Sequence, residues 1–350
     1  MHRQPFRETP QAQHWDALAA HLAAAGLPLA TSRAPRQFAT GYANLNYLLE
    51  LDCGRYVLRR PPAGPLPPGA HDMQREYRVL SRLWRAYPLA PRAVHLCADE
   101  AVLGAPFFLM EYRPGIVITA DLPQRINRPA QTAYIAEQLL DALVALHRVD
   151  PRQVDLHDLG KPEGFLRRQV RGWTQRAALA YRQAPSENLQ RITTWLAANT
   201  PSEQGVSLVH NDFKLDNVIL HAQALTPVGV IDWDMCTRGD PLFDLAVLLS
   251  YWTQADDPPA MHALHQMPTA ASGFPRRAEI LSRYCEAMQV EARGFLFYRV
   301  LATFRLAIVF RQLYNLWQRG AATRPESATF DAVARGQLHI ASSLLAGEFE

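Results

Sequence analysis

Apolar and polar positions follow two different rhythms along this chain. In the first third the apolar residues come in short extended runs. Tyr47 to Leu51 and Tyr56 to Arg59 read as strands joined at Asp52-Cys53-Gly54, a hairpin signal. Pro61, Pro62, Pro65, Pro67 and Pro68, with Gly64 and Gly69 among them, follow as a loop that can continue neither strand nor helix. From His71 to Tyr87 the spacing changes: Met73, Tyr77, Leu80, Leu83 and Trp84 recur at three and four residues, which predicts a helix. Val94 to Leu96 and Phe107 to Tyr112 are strand-like again.

Beyond residue 130 the helical rhythm dominates. Ala130 to Arg148 carries Ile135, Leu139, Leu140, Leu143 and Leu146 on one stripe, and Phe165 to Tyr181, Glu187 to Ala198, Asp244 to Tyr251 and Phe295 to Trp317 extend the pattern. Two short apolar runs, Val206 to Val209 and Val228 to Asp232, bracket a polar loop. The expected architecture is α+β and two-lobed. A small antiparallel-sheet lobe spans residues 1–112, a connector lies near Glu111 to Gly115, and a larger, mainly helical lobe covers 113–350. A cleft between two such lobes is a favoured place for a ligand.

Composition narrows the function classes. At 350 residues, 48% hydrophobic and 20% charged, the chain has the profile of a soluble globular protein. Lys and Arg exceed Asp and Glu by only three, with no clustered basic face, so nucleic acid is not an expected partner. The four cysteines, Cys53, Cys97, Cys236 and Cys285, form no CxxC pair, and reduced thiols in a cytoplasmic enzyme are the expectation. Leu18 to Leu29 is apolar, but Glu8 and Asp16 precede it and His21 and Gly26 interrupt it; it reads as an amphipathic helix closed by Gly26. Phe295 to Trp317 contains Arg299, Arg305 and Arg311, too many charges for an ordinary membrane span. No membrane association is expected.

The polar loop carries the chemistry. It reads His210-Asn211-Asp212-Phe213-Lys214-Leu215-Asp216-Asn217, and Ile231-Asp232-Trp233-Asp234 follows on the next strand. Phosphoryl transfer gives each residue type a task. Asp212 suits the removal of a proton from an acceptor hydroxyl, and Lys214 can set positive charge beside the transferring group. Asn217 and Asp232 offer the hard oxygen ligands that Mg²⁺ prefers. Asp234 either binds a second Mg²⁺ or bonds the loop backbone. His210 has no second His or Cys at ligand spacing, so packing and hydrogen bonding are its expected work. Asp240 before Pro241 reads as a helix N-cap.

The string HNDFKLDN, with Asp232-Trp233-Asp234 and Gly239-Asp240-Pro241-Leu242-Phe243-Asp244-Leu245-Ala246, resembles the aminoglycoside phosphotransferase and choline kinase superfamily, which has the protein-kinase-like fold. The resemblance covers nearly the whole chain. It implies ATP and Mg²⁺ as cofactors, Asp212 as base, and Asp244 as an anchor of the loop. Gly41 to Tyr47, including Asn44, takes the place of the phosphate-covering loop with a single glycine. The strand residue holding the α- and β-phosphates corresponds to Arg59, with Arg60 adjacent, and its helix partner to Glu76. Glu111 and Tyr112 fall at the hinge, whose backbone groups would bind adenine. The protein-kinase activation segment and APE motif have no counterpart here, which argues against a protein substrate.

Leu58-Arg59-Arg60-Pro61-Pro62, His71 to Leu80, Phe165 to Trp173 and Ala302 to Tyr314 are similar to one subgroup in particular, the phosphotransferase domain fused to some acyl-CoA dehydrogenases. That likeness implies a hydroxyacyl-CoA or similar acceptor. Arg167, Arg168, Arg171, Arg305 and Arg311 suit an anionic acceptor better than a polycationic drug. Trp173 and Arg168 are candidates for the acceptor pocket. The expected function is ATP-dependent transfer of the γ-phosphate to a metabolite hydroxyl. The alternatives are an aminoglycoside phosphotransferase and a non-catalytic nucleotide-binding module, the latter supported by Arg59 and the single-glycine loop. Nucleotide preference and oligomeric state are left open.

Overall fold

The hairpin at Asp52-Cys53-Gly54 joins two strands at the heart of a five-stranded antiparallel sheet. The computed structural model describes residues 6–8, 10–30, 33–39, 44–62, 71–182, 186–320 and 325–349. Gly41-Tyr42-Ala43 and most of the proline-rich loop lie outside the described residues.

Along the chain, helix α1 (Trp15–Ala24) is followed by β1 (Arg36–Gln37), β2 (Leu45–Leu51), β3 (Gly54–Arg60), α2 (Met73–Leu83), β4 (Ala93–Cys97), a short α3 (Glu100–Leu103) and β5 (Phe107–Glu111). The sheet runs β1-β2-β3-β5-β4 with every neighbouring pair antiparallel. Gly26 ends the α1 turn at φ 74°, and the Leu27 N–H bonds back to the Leu22 carbonyl at 2.8 Å. Leu18 and Leu22 of α1 are fully buried in one core with Leu49, Leu58 and Leu109 of the sheet. Asp72 caps α2 by accepting the Arg75 N–H at 3.0 Å.

Next come β6 (Ile116–Val117), α4 (Pro129–His147), α5 (Phe165–Ala180), α6 (Glu187–Ala198) and β7 (Ser207–Val209). β8 (Val218–Leu220) and β9 (Pro227–Val230) form a small sheet in the order β6-β8-β9, and β10 (Thr237–Gly239) pairs with β7. The chain finishes with α7 (Pro241–Tyr251), α8 (Pro259–His262), α9 (Arg277–Met288), α10 (Phe295–Gln318) and α11 (Phe330–Ala346). Contacts divide it into two compact units. The first comprises Met1–Val117, Asp150–His157 and Asn217–Cys236; the second comprises Ile118–Val149, Asp158–Asp216 and Thr237–Glu350.

The α+β expectation is met, with the antiparallel sheet in the first unit and a mainly helical second unit. Two differences have local causes. The strand read through Asp232 stops at Val230, because Asp232 sits at φ 70°, a left-handed conformation that no strand accommodates. Helices α9 and α11 lie beyond the periodic reading; in α11 the buried stripe of Phe330, Val333, Ala334, Leu338, Ala341 and Leu344 is interrupted by the fully buried polar Gln337. Gly336 is a contact point: a Cβ there would stand 3.0 Å from that of Ala260 in α8. Among the described residues no helix is long and apolar enough to cross a membrane.

Candidate active site

Strand pleating assigns the two neighbouring arginines of β3 opposite surroundings, since successive side chains point to opposite faces. Arg59 turns toward α2, and its Nε donates to Glu76 Oε2 at 2.8 Å. Arg60 turns the other way, donating to the Leu103 carbonyl at 2.6 Å and contacting Gln13. Glu76 is completely buried, and its Oε1 accepts the Trp233 N–H at 3.2 Å. Arg59 also pairs with Asp232. Burial works against the Arg59 charge, but Glu76, Asp232 and Asp234 outweigh it and hold the guanidinium well above its usual range. One ion network in the first unit thus ties β3, α2 and the segment after β9.

The same unit holds Asn217 and Asp232. The Ile231 N–H bonds the Asn217 carbonyl at 2.9 Å, which continues the β8–β9 pairing and brings Asn217 opposite the residue before Asp232. Arg75 of α2 grips the following loop through the carbonyls of Asp234 (3.4 Å) and Cys236 (2.6 Å). Asn44 is nine-tenths buried. Its Oδ1 lies 2.8 Å from His71 Nδ1, and its Nδ2 has no hydrogen-bond partner among the described residues. His71 is a residue that the sequence reading does not single out. It is pushed below the usual histidine value by burial and by the Arg59 charge, and it has φ 59°.

At the hinge, the Glu111 N–H already bonds the Arg92 carbonyl (2.9 Å) and the Tyr112 N–H the Arg55 carbonyl (3.2 Å). Of the hinge backbone groups that the sequence reading offers to adenine, the N–H groups of Glu111 and Tyr112 are therefore engaged within the unit. The Glu111 carboxylate receives Arg113 at 2.8 Å, and Arg55 lies 4.9 Å over the Tyr112 ring.

The second unit holds the base candidate. Asp244 of α7 is fully buried and pins the loop by its backbone: Oδ2 accepts the His210 N–H at 2.6 Å, and Oδ1 the Asn211 N–H at 2.8 Å. Asn211 itself has φ 63°. His147 Nε2 meets Asp244 Oδ2 at 3.2 Å, and its Nδ1 lies 2.6 Å from the Tyr284 hydroxyl. Burial alone would raise Asp244, but bonds from His147 and the His210 backbone hold it below the ordinary carboxylate range. Asp240 caps α7 through the Leu242 N–H at 2.9 Å.

Above this anchor, Lys214 Nζ lies 3.4 Å from Asp212 Oδ2 and 3.0 Å from Asp216 Oδ2. Burial opposes the Lys214 charge, yet Asp212 and Asp216 outweigh it and keep the ammonium well above the usual lysine range. Tyr251, the last residue of α7, donates its hydroxyl to Asp212 Oδ1 at 3.2 Å, a contact absent from the sequence reading.

Of the arginines read as an anionic-acceptor signal, two have structural work. Arg168 donates to the backbone carbonyls of Lys161 and Glu163 at the start of α5, and Arg311 pairs with Asp331. Arg167 and Arg171 are exposed, and Arg305 is buried with its guanidinium 5.5 Å over the Trp173 ring. Trp173 is itself buried, covered by Arg176 at 4.8 Å.

Comparison with known proteins gives the family. The pattern of the phosphotransferase enzyme family matches residues 34–280. Mouse acyl-CoA dehydrogenase family member 10 is 32% identical over 319 residues, which are 89% of this chain and 29% of that protein. Rat acyl-CoA dehydrogenase family member 11 is 31% identical over 296 residues, covering 83% and 37%. The chain thus spans about a third of the length of these relatives. Among solved structures, a Ralstonia eutropha protein provisionally described as an aminoglycoside phosphotransferase superposes with TM-score 0.78 at 25% identity, covering 96% and 99% of the two chains. The aminoglycoside phosphotransferase APH(4)-Ia, in complex with AMP-PNP and hygromycin B, shares the fold at TM-score 0.57 and 17% identity, covering 90% and 95%. A chain whose fold and family pattern agree in this way belongs to the phosphotransferase enzyme family.

Proposed function

We propose that this chain is an ATP-dependent kinase that phosphorylates a hydroxyl of a small anionic metabolite, a hydroxyacyl-CoA being the leading acceptor class. The observation that carries the reading is Asp212, held on a loop whose backbone is bonded to Asp244, with Lys214 at 3.4 Å. MgATP, when bound, supplies an activated phosphoryl group whose charge the cation partly neutralises.

The residues present fit that group. Asn217 and Asp232 are hard oxygen donors in one unit, and the buried Asn44 Nδ2 is a donor that a phosphate oxygen would satisfy. In this reading Arg59 holds phosphate oxygens, Asn217 and Asp232 hold Mg²⁺, and Asp234 supports the second cation position or its loop. Asp212 takes the acceptor proton as the hydroxyl oxygen bonds phosphorus, and Lys214 sets positive charge beside the transferred group. The acyl-CoA assignment rests on the names of the relatives and on exposed Arg167 and Arg171. A cytoplasmic setting is part of the same reading, in keeping with four cysteines that form no disulfide.

The test is MgATP consumption by purified protein against hydroxyacyl-CoAs, aminoglycosides, choline and sugar alcohols, with Asp212→Ala as control. Stimulation by a hydroxyacyl-CoA is expected, with kcat at least about 10²-fold lower in the control and nucleotide affinity little changed. Faster turnover of a kanamycin-like drug would overturn the acceptor class, and full activity in Asp212→Ala would overturn the base.

A further inference from the structure

We propose that Tyr251 is a positioning residue for Asp212, fixing which carboxylate oxygen meets the acceptor hydroxyl; the inference rests on the assignment of Asp212 as the base.

Tyr251 lies seven residues after Asp244 on α7, close to two full turns, so the two share a helix face. That face holds the catalytic loop at two heights. Asp244 accepts the N–H groups of His210 and Asn211, and the Tyr251 hydroxyl donates to Asp212 Oδ1 at 3.2 Å. Tyr251 is buried, while Asp212 keeps a fifth of its side chain open to solvent. Burial first, and then the Asp212 charge, pushes the phenol above its usual range, so it stays protonated and the hydrogen runs one way, from Tyr251 to Asp212.

The two carboxylate oxygens are therefore not equivalent. Oδ1 accepts the phenol, and Oδ2 faces Lys214, whose ammonium sits 5.4 Å over the Tyr251 ring. A carboxylate free to rotate would present either oxygen and lose the aligned geometry for part of the time. With Oδ1 tethered, the acceptor O–H bond breaks toward Oδ2 as the new O–P bond forms and the bond to the nucleotide breaks. Tyr251 keeps its own proton throughout. The competing view, that Tyr251 merely fills space at the end of α7, makes phenylalanine an equal substitute.

The discriminating experiment uses the full chain in excess over MgATP, with water as acceptor, and follows single-turnover hydrolysis. Wild type, Tyr251→Phe, Asp212→Ala and the double variant are compared, with MgATP Kd and Tm measured for each. Tyr251→Phe is expected to slow the step about 10-fold with Kd and Tm unchanged, and to add nothing in the Asp212→Ala background. A Tyr251→Phe rate within twofold of wild type would overturn the proposal. So would a rate loss that repeats in full without Asp212, or one accompanied by an equal loss of nucleotide binding and a fall in Tm. Wild-type hydrolysis by Asp212→Ala would instead remove the base assignment, a separate failure.

Discussion

Arg59 and Glu76 form a 2.8 Å ion pair in which the two side chains are 7% and 0% exposed. Such a pair is expensive to break, because removal of one partner strands a charge away from water. Asp232 also contacts Arg59 and Asp234 adds its charge, so loss of Glu76 still leaves carboxylates near the guanidinium. Glu76→Ala is therefore expected at the lower end of the range for a broken buried pair, about 3 kcal/mol. Urea unfolding measures this, and a change under about 1 kcal/mol would show that the pair contributes little.

Asp244 gives a pH signature. A carboxyl held below its ordinary value binds fewer protons when folded than when unfolded, so its stabilisation is complete above the ordinary carboxylate range, near pH ~4. It is lost as pH falls through the lower folded value. Wild-type Tm should therefore drop on acidification through that window. Asp244→Asn, whose amide sets a donor against the His210 or Asn211 N–H, should start less stable and show a flatter acid drop. Parallel Tm curves for the two proteins would exclude Asp244 as a source of the acid sensitivity.

Asp232→Ala tests the cation assignment. Equilibrium titration should give at least about 10-fold weaker binding of MgATP, with a smaller effect on metal-free ATP. Equal loss with and without Mg²⁺ would assign Asp232 to holding Arg59 alone.

Gly239 tests the packing beneath α7. A Cβ built there would fall 2.7–2.8 Å from three atoms of the Phe165 ring. Gly239→Ala should destabilise by about 1–3 kcal/mol, and Phe165→Leu in the same chain should recover part of it. A neutral Gly239→Ala in thermal melts would mean that the ring moves aside freely.

Legibility in the sequence followed the range of the interactions. The hairpin, the helix caps and most helices come from contacts within a few residues, and the periodic pattern records those directly. The loop from His210 to Asn217 was readable for the same reason, since its chemistry-bearing side chains share one short stretch. The pairing of Arg59 with Glu76 crosses only seventeen residues, but spacing could not choose between Arg59 and Arg60. The pleat of β3 made that choice, by turning successive side chains to opposite faces.

The sequence by itself determined the fold class, through local periodicity, and the family, through a resemblance carried by motifs that are each short in the chain, and it set the candidate base, lysine and amide on one loop. Only the tertiary structure decided that Tyr251, thirty-nine residues from Asp212, reaches its carboxylate, that the Glu111 and Tyr112 N–H groups are already bonded, and that Arg168 and Arg311 are committed to carbonyls and to Asp331. Apart from the Arg168 contacts, which reach back only five and seven residues, each is a hydrogen bond or ion pair formed when distant segments pack, and its geometry exists only in the folded chain.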